Sequence, residues 1–220
     1  TPFAGVDGDY RSKASGTWDA IATWEKMVGG IWVASPDFPS TTTNTVTIQN
    51  THIVQVITSQ RNVKNLVINT GGKVFTNNSA TNLYINVYGN ILCNGTLGNG
   101  ATYDALGLNI EGILDTISGN GSISLVRIRK NTATNLSTSL FINADIRLNW
   151  SSTAGTGALY NACSSPAANQ FNVTLNVGKT ITTNTGGVIC IDGTNGQQTG
   201  NDSYGTFLIN GTLKIGRAHV

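Results

Sequence analysis

The sequence predicts an all-β chain: a parallel β-helix, or β-solenoid, entered through an N-terminal β cap. Three observations predict it. A short phrase recurs: two apolar residues two apart, then Asn or Glu, then Gly, then further apolar residues. The composition favours strands and turns, with 26 Gly, 26 Asn and 30 Thr in 220 residues. And no stretch sustains an apolar i, i+3, i+4, i+7 pattern between helix caps.

The phrase appears as LVINTGGKVF from Leu66, LYINVYGNIL from Leu83 and LNIEGIL from Leu108. It returns more loosely as LFINADIRL from Leu140, VTLNVGKTI from Val173 and FLINGTLKI from Phe207. Alternating apolar residues turn one face of a short strand inward. The asparagine is expected to leave the strand through a left-handed bend, with glycine supplying positive φ. Such a strand cannot bury its inner face alone, but it can stack on the next turn of chain about 4.8 Å away. The phrases start 17 to 34 residues apart, and a quasi-period of roughly 20–35 residues is the signature of a stacked array. Six or seven rungs fit, making a column of roughly 30 Å. An antiparallel β-sandwich is the alternative, since it too uses short alternating strands. It gives no reason to reuse one inward pair and one corner six times.

Residues 1–43 read as the cap. They hold three of the four tryptophans, Trp18, Trp24 and Trp32. Gly29-Gly30 separates TWEKMV from IWVAS, which reads as a hairpin; a helix over Trp18–Val28 is the weaker reading. Residues 44–213 are the solenoid rungs. The last seven residues, Lys214 to Val220 (KIGRAHV), match the translation of a sequencing-adapter read-through and are set aside. The chain is then expected to lack C-terminal domains of the same protein, and its last rung to be an uncapped edge.

Charged residues make up 11% of the chain, against about 25% in an average soluble domain. Without Lys214 and Arg217 the eleven acidic residues face eleven basic ones. Nucleic-acid binding needs a clustered positive field, and the one cluster, Arg127, Arg129 and Lys130, reads as a solvated strand end. No apolar run is long enough for a membrane span. Cys93, Cys163 and Cys190 are far apart and form no zinc pattern, so they read as buried small residues.

The opening DYRSKASGTWDAIATWE and IWV, then VTIQNTHIVQV (Val46–Val56), LVINTGGKV and LYINVYGNILCNGTL, resemble secreted solenoid proteins of Bacteroidetes-type bacteria. The cap and first rungs also look distantly like the extracellular eight-glycine domain. The resemblance covers Asp9 to Gly98. It implies right-handed β-helix rungs in a large secreted or cell-surface protein, of a kind often exported by the type IX route, and leaves the activity open; an adhesin-like spacer is the role expected of such a scaffold.

No catalytic set is legible. Glycoside hydrolysis generally needs two carboxylates about 5–10 Å apart, and no adjacent pair of aspartates occurs. Arg127-Ile128-Arg129 echoes one element of a polygalacturonase-like pattern without its partners. His52, in NTHIVQV, has no nucleophile motif to serve. No metal site is expected. Calcium is conceivable only at Asp192 and Asp202, where turn stabilisation is the simpler role. For binding, Trp150 and Tyr160 flank the long loop SSTAGTG and are the candidate carbohydrate platform, since sugar faces stack on aromatic rings. The expected function is a non-catalytic extracellular scaffold. The alternative is a polysaccharide-active β-helix enzyme or a carbohydrate-binding module, with extracellular polysaccharide or surface glycan as partner.

Overall fold

The computed structural model describes residues 5–58, 60–77, 83–99, 106–130, 138–148, 158–161, 171–183, 188–190 and 205–214. The cap contributes β1 (Tyr10–Ser12), β2 (Gly16–Thr17), β3 (Trp24–Val28) and β4 (Ile31–Ala34). Three strands per coil follow: β5 (Thr45–Ile48), β6 (Ile53–Gln55) and β7 (Arg61–Val63), then β8 (Asn65–Ile68), β9 (Lys73–Phe75) and β10 (Leu83–Val87). The third and fourth coils are β11 (Ile91–Cys93), β12 (Thr96–Leu97) and β13 (Leu106–Ile110), then β14 (Leu114–Ser118), β15 (Ser122–Leu125) and β16 (Arg127–Lys130). The fifth and sixth are β17 (Thr138–Asn143), β18 (Ile146–Leu148) and β19 (Ala158–Asn161), then β20 (Phe171–Leu175), β21 (Thr180–Thr183) and β22 (Val188–Cys190). A last pair is β23 (Gly205–Ile209) and β24 (Thr212–Lys214).

From β5 to β21 every strand pairs in parallel with the third strand after it. The chain thus visits three sheets in turn: sheet I with ten strands, sheet II with eight and sheet III with six. This all-β, parallel topology is compatible with a β-solenoid. It excludes the antiparallel sandwich, because the phrase strands pair in parallel with their neighbours in the stack.

The interior is one apolar file per sheet, merged into a single core. On sheet I the file runs Tyr10, Val46, Leu66, Ile91, Ile117, Ile142, Leu175 and Ile209 by direct register. On sheet II it runs Val54, Val74, Leu97, Ile123, Ile146, Ile181 and Leu213. Each fully buried Leu or Ile contributes about 1.5–3 kcal/mol, but only because the coils above and below close over it. The recurrent phrase does not mark one place per coil. LYINV and LNI lie on sheet III, the other four phrases on sheet I. Any side of the coil needs the same inward pair, so the motif drifts between sides.

The corners differ from the sequence expectation. Among the described residues, Thr51 (φ 66°) and Gln60 (φ 62°) are the only non-glycines in the left-handed region, and no asparagine is there. The asparagines instead bond from coil to coil. Asp9 Oδ1 accepts from the Thr45 N–H at 2.8 Å. Asn65 Nδ2 donates to Thr45 Oγ1 at 3.1 Å, Asn65 Oδ1 accepts from the Asn90 N–H at 2.9 Å, and Asn90 Oδ1 accepts from the Thr116 N–H at 2.9 Å. A second ladder on sheet III links Asn109 to Asn86 at 2.7 Å and Asn86 to Asn62 at 2.8 Å. A side-chain amide has both donor and acceptor, so Asn65 and Asn90 can take up backbone N–H groups of the next coil while the sheet III amides bond one another.

Glycine serves the sheet I to sheet II corner by being small. A Cβ on Gly95 would lie 2.2 Å from Gly72 O, and one on Gly121 would lie 2.2 Å from Gly95 O.

The predicted hairpin is present. β3 and β4 pair antiparallel around Gly29 and Gly30, both with positive φ. The Asp7 carboxylate accepts from both glycine N–H groups at 3.0 Å. The segment Trp18–Val28 is no helix and contains only a 3-10 turn at Ile21–Thr23. The hairpin joins β1 antiparallel, while the other edge of β1 takes β5 in parallel. Trp18 and Trp24 are fully buried and meet edge to face at 5.2 Å. Their indole N–H groups donate to Pro39 O and Trp18 O.

Replacing Gly95 with Ala forces backbone apart at the stacked corner and should cost about 1–3 kcal/mol. Thr47→Ala, on the outward face of β5, should stay within about 0.5 kcal/mol. Urea unfolding of the two variants checks the contrast.

Candidate functional site

The carbohydrate candidates from the sequence are not brought together. Trp150 and the loop 151–157 lie outside the described residues. Tyr160 falls on β19, in register between Arg129 and Cys190, and its side chain is outside the description. Asp192 and Asp202, the calcium candidates, are outside it too. Among the described residues no three His, Cys, Asp or Glu side chains group to hold a metal.

The acids of the cap and corners hold structure. Asp9 caps Thr45 and Val6 N–H groups. Asp19 pairs with Arg61 at 2.6 Å, and Glu25 with Arg11 at 2.7 Å. Arg61 begins the sheet III file that continues as Ile85 and Leu108, so its guanidinium, stacked on Phe38, ends that file toward the cap. Asp115 sits in the inward file of sheet I beside Leu140 and is 1% exposed.

His52 does meet a serine. Ser12 Oγ lies 2.9 Å from His52 Nδ1. Ser12 is wholly buried, and its Oγ accepts from the Gln49 N–H at 2.8 Å. A nucleophile must reach its substrate, and this hydroxyl instead pins β1 to the corner after β5. Cys93 is a free, buried thiol pushed up to about 12, chiefly by burial. It is inert at neutral pH, because only the thiolate reacts.

Arg127 and Arg129 face outward on β16, on either side of the buried Ile128. Arg127 is half-buried and donates to Tyr84 Oη at 3.0 Å, with Gly107 leaving room for the ring between them. Its guanidinium is therefore a structural donor as well as a strand-end charge.

What the sequence reading missed is a groove on the outer face of sheet II. It has a volume of about 290 Å³ and takes Ser122, Asp145, Arg147, Thr180 and Thr182 from three successive coils. Ser122 opens β15, Arg147 is in β18, and Thr180 and Thr182 are in β21. Arg147 stands in register with Thr182. Asp145 is fixed, since its Oδ1 accepts from the Thr180 N–H at 2.7 Å. Among the described residues Asp145 is its one carboxylate, short of the acid pair that glycoside hydrolysis generally needs. A smaller groove of about 270 Å³ lies on sheet I beside Asn90, Leu92, Thr116 and Ser118. Period-2 alternation marks these side chains as outward-facing. Only the coil register, which one strand does not reveal, brings them side by side.

Comparison with family models, curated proteins and solved structures found no match. No helix among the described residues is long and apolar enough to cross a membrane.

One charge cluster holds the cap. Asp37 accepts from Tyr10 Oη at 2.8 Å and pairs with Lys26 at 3.1 Å. Burial alone would raise the Asp37 carboxyl, but bonds from Tyr10, Lys26 and Ser35 outweigh it and hold it below its ordinary value. Burial pushes the Tyr10 hydroxyl up, and the Tyr10 bond raises Lys26. A lowered carboxyl stabilises the fold above its unfolded value, near 3.9, and that contribution is lost as pH falls through the folded one. Acidification below about pH 4 should therefore loosen the cap, seen as a change in tryptophan emission. Asp37→Asn should lower stability at neutral pH and flatten this acid dependence.

Proposed function

We propose that this chain is a non-catalytic structural segment of a secreted or cell-surface protein, a right-handed parallel β-helix serving as stalk or adhesin-like spacer. The observation that carries the reading is where the described acids sit. Asp7, Asp9, Asp19, Glu25 and Asp37 hold the cap together or join it to the first coils, Asp115 is buried, and the sheet II groove takes Asp145 as its one carboxylate among the described residues. An enzyme on such a scaffold would instead converge two or more of them outward in one cleft.

Handedness follows from a general preference. A parallel strand-to-strand crossover in one sheet is right-handed in about 98% of cases, and each sheet I strand reaches the next through such a crossover. The location rests on the resemblance of the cap and first rungs to secreted solenoids. A continuous three-sided core also suits a spacer, because coils add length without needing a new fold.

The second reading, a polysaccharide-active or carbohydrate-binding segment, is favoured by one feature: the polar groove on sheet II. Incubation with neutral and acidic polysaccharides, followed by assays for new reducing ends and unsaturated products, separates scaffold from enzyme. The scaffold reading predicts no turnover. Turnover abolished by a single Asp, Glu or Arg substitution would replace it with the enzyme.

A further inference from the structure

We infer that the groove on the outer face of sheet II binds a neutral sugar unit of a polysaccharide, Asp145 accepting from its hydroxyls and Arg147 donating to them. This rests on the second reading in its non-catalytic, carbohydrate-binding form, and a scaffold can carry such a site.

The first argument is charge. Asp145 and Arg147 are both exposed and flank the buried Ile146 on one face. Two residues of extended strand separate them by about 6.6 Å. They form no ion pair with each other, and neither has one among the described residues. An acid and a base thus line one groove without neutralising each other. A carboxylated ligand would be drawn to Arg147 and repelled by Asp145. A hydroxyl both donates and accepts, so a ring carrying several of them satisfies both groups at once.

The second argument is preorganisation. The Thr180 N–H fixes one Asp145 oxygen, which sets the carboxylate plane and leaves the other oxygen for a ligand. Thr180 and Thr182 share the outward face of β21, one coil further along, and Ser122 lies one coil back. Coil spacing near 4.8 Å places three rows of hydroxyl, carboxylate and guanidinium groups across the groove. β-branched threonines on strands hold few rotamers, so little side-chain freedom is lost on binding. Among the described residues the lining holds no aromatic ring, and its polar groups suit a hydroxylated ligand better than a flat apolar one.

The test is affinity electrophoresis of the whole chain through gels containing dextran, galactan, glucomannan or polygalacturonate. At least one neutral polysaccharide should retard the wild type. Asp145→Asn keeps an acceptor for the Thr180 N–H, and Arg147→Gln keeps a donor. Each should weaken retardation at least tenfold while the melting temperature stays unchanged. Thr182→Val, which keeps the β-branched shape, should weaken it as well, and serves if either charge variant fails to fold. Migration unaffected by every neutral polysaccharide, retardation by polygalacturonate alone, or variants that bind like the wild type would each overturn the inference. The scaffold reading survives all three results, since only turnover removes it.

Discussion

The structure depends on one constraint: a coil of three short strands has an apolar inner face that only the next coil can cover. Strands of two to six residues are far too short to be stable alone. Register therefore matters more than the identity of any one side chain. Val46, Leu66, Ile91, Ile117 and Ile142 differ in shape but stand in one line. A slip of one residue would turn that line to solvent. The asparagine ladders and stacked glycines serve the same register from outside the core. Each amide bonds to an amide, a hydroxyl or a backbone N–H of the neighbouring coil, and glycine carbonyls approach only where no Cβ intervenes.

The stack also needs an end. At the N-terminal side the chain changes pairing sense, and an antiparallel hairpin closes sheet I while Trp18, Trp24, Phe38 and Arg61 meet the interior. At the other side β23 pairs only with β20 among the described residues, and Ile209, the last of its file, is 45% exposed. That exposure follows from an inward residue having a neighbour on one side alone.

Much of the architecture was legible in the sequence because local rules and stacking agree. The inward pairs of LVIN, LYIN and VTLN are visible as alternation, and the Gly29-Gly30 hairpin as a turn flanked by β formers. The role of asparagine was misread. Its tolerance of left-handed backbone is a property of one residue, whereas its actual work, a bond to the coil above, requires knowing which residue lies there. Residues 20 to 26 positions apart in sequence make those bonds. The same limit hid the sheet II groove, whose parts are ordinary outward Ser, Asp, Arg and Thr until three coils are laid together. Aromatic loop residues drew attention to Trp150 and Tyr160 instead, because an exposed ring is a signal one residue can carry.

Stacking of the coils in register is measured most directly by distances between spin labels. Thr47, Leu92, Ser118 and Asn143 occupy one outward file of sheet I on the first, third, fourth and fifth coils. From Thr47 the separations should rise in equal steps, to about 10, 14 and 19 Å at a coil spacing near 4.8 Å. Distances that fail to increase along this series, as when strands are divided between two facing antiparallel sheets, would contradict the stacked column and everything built on it.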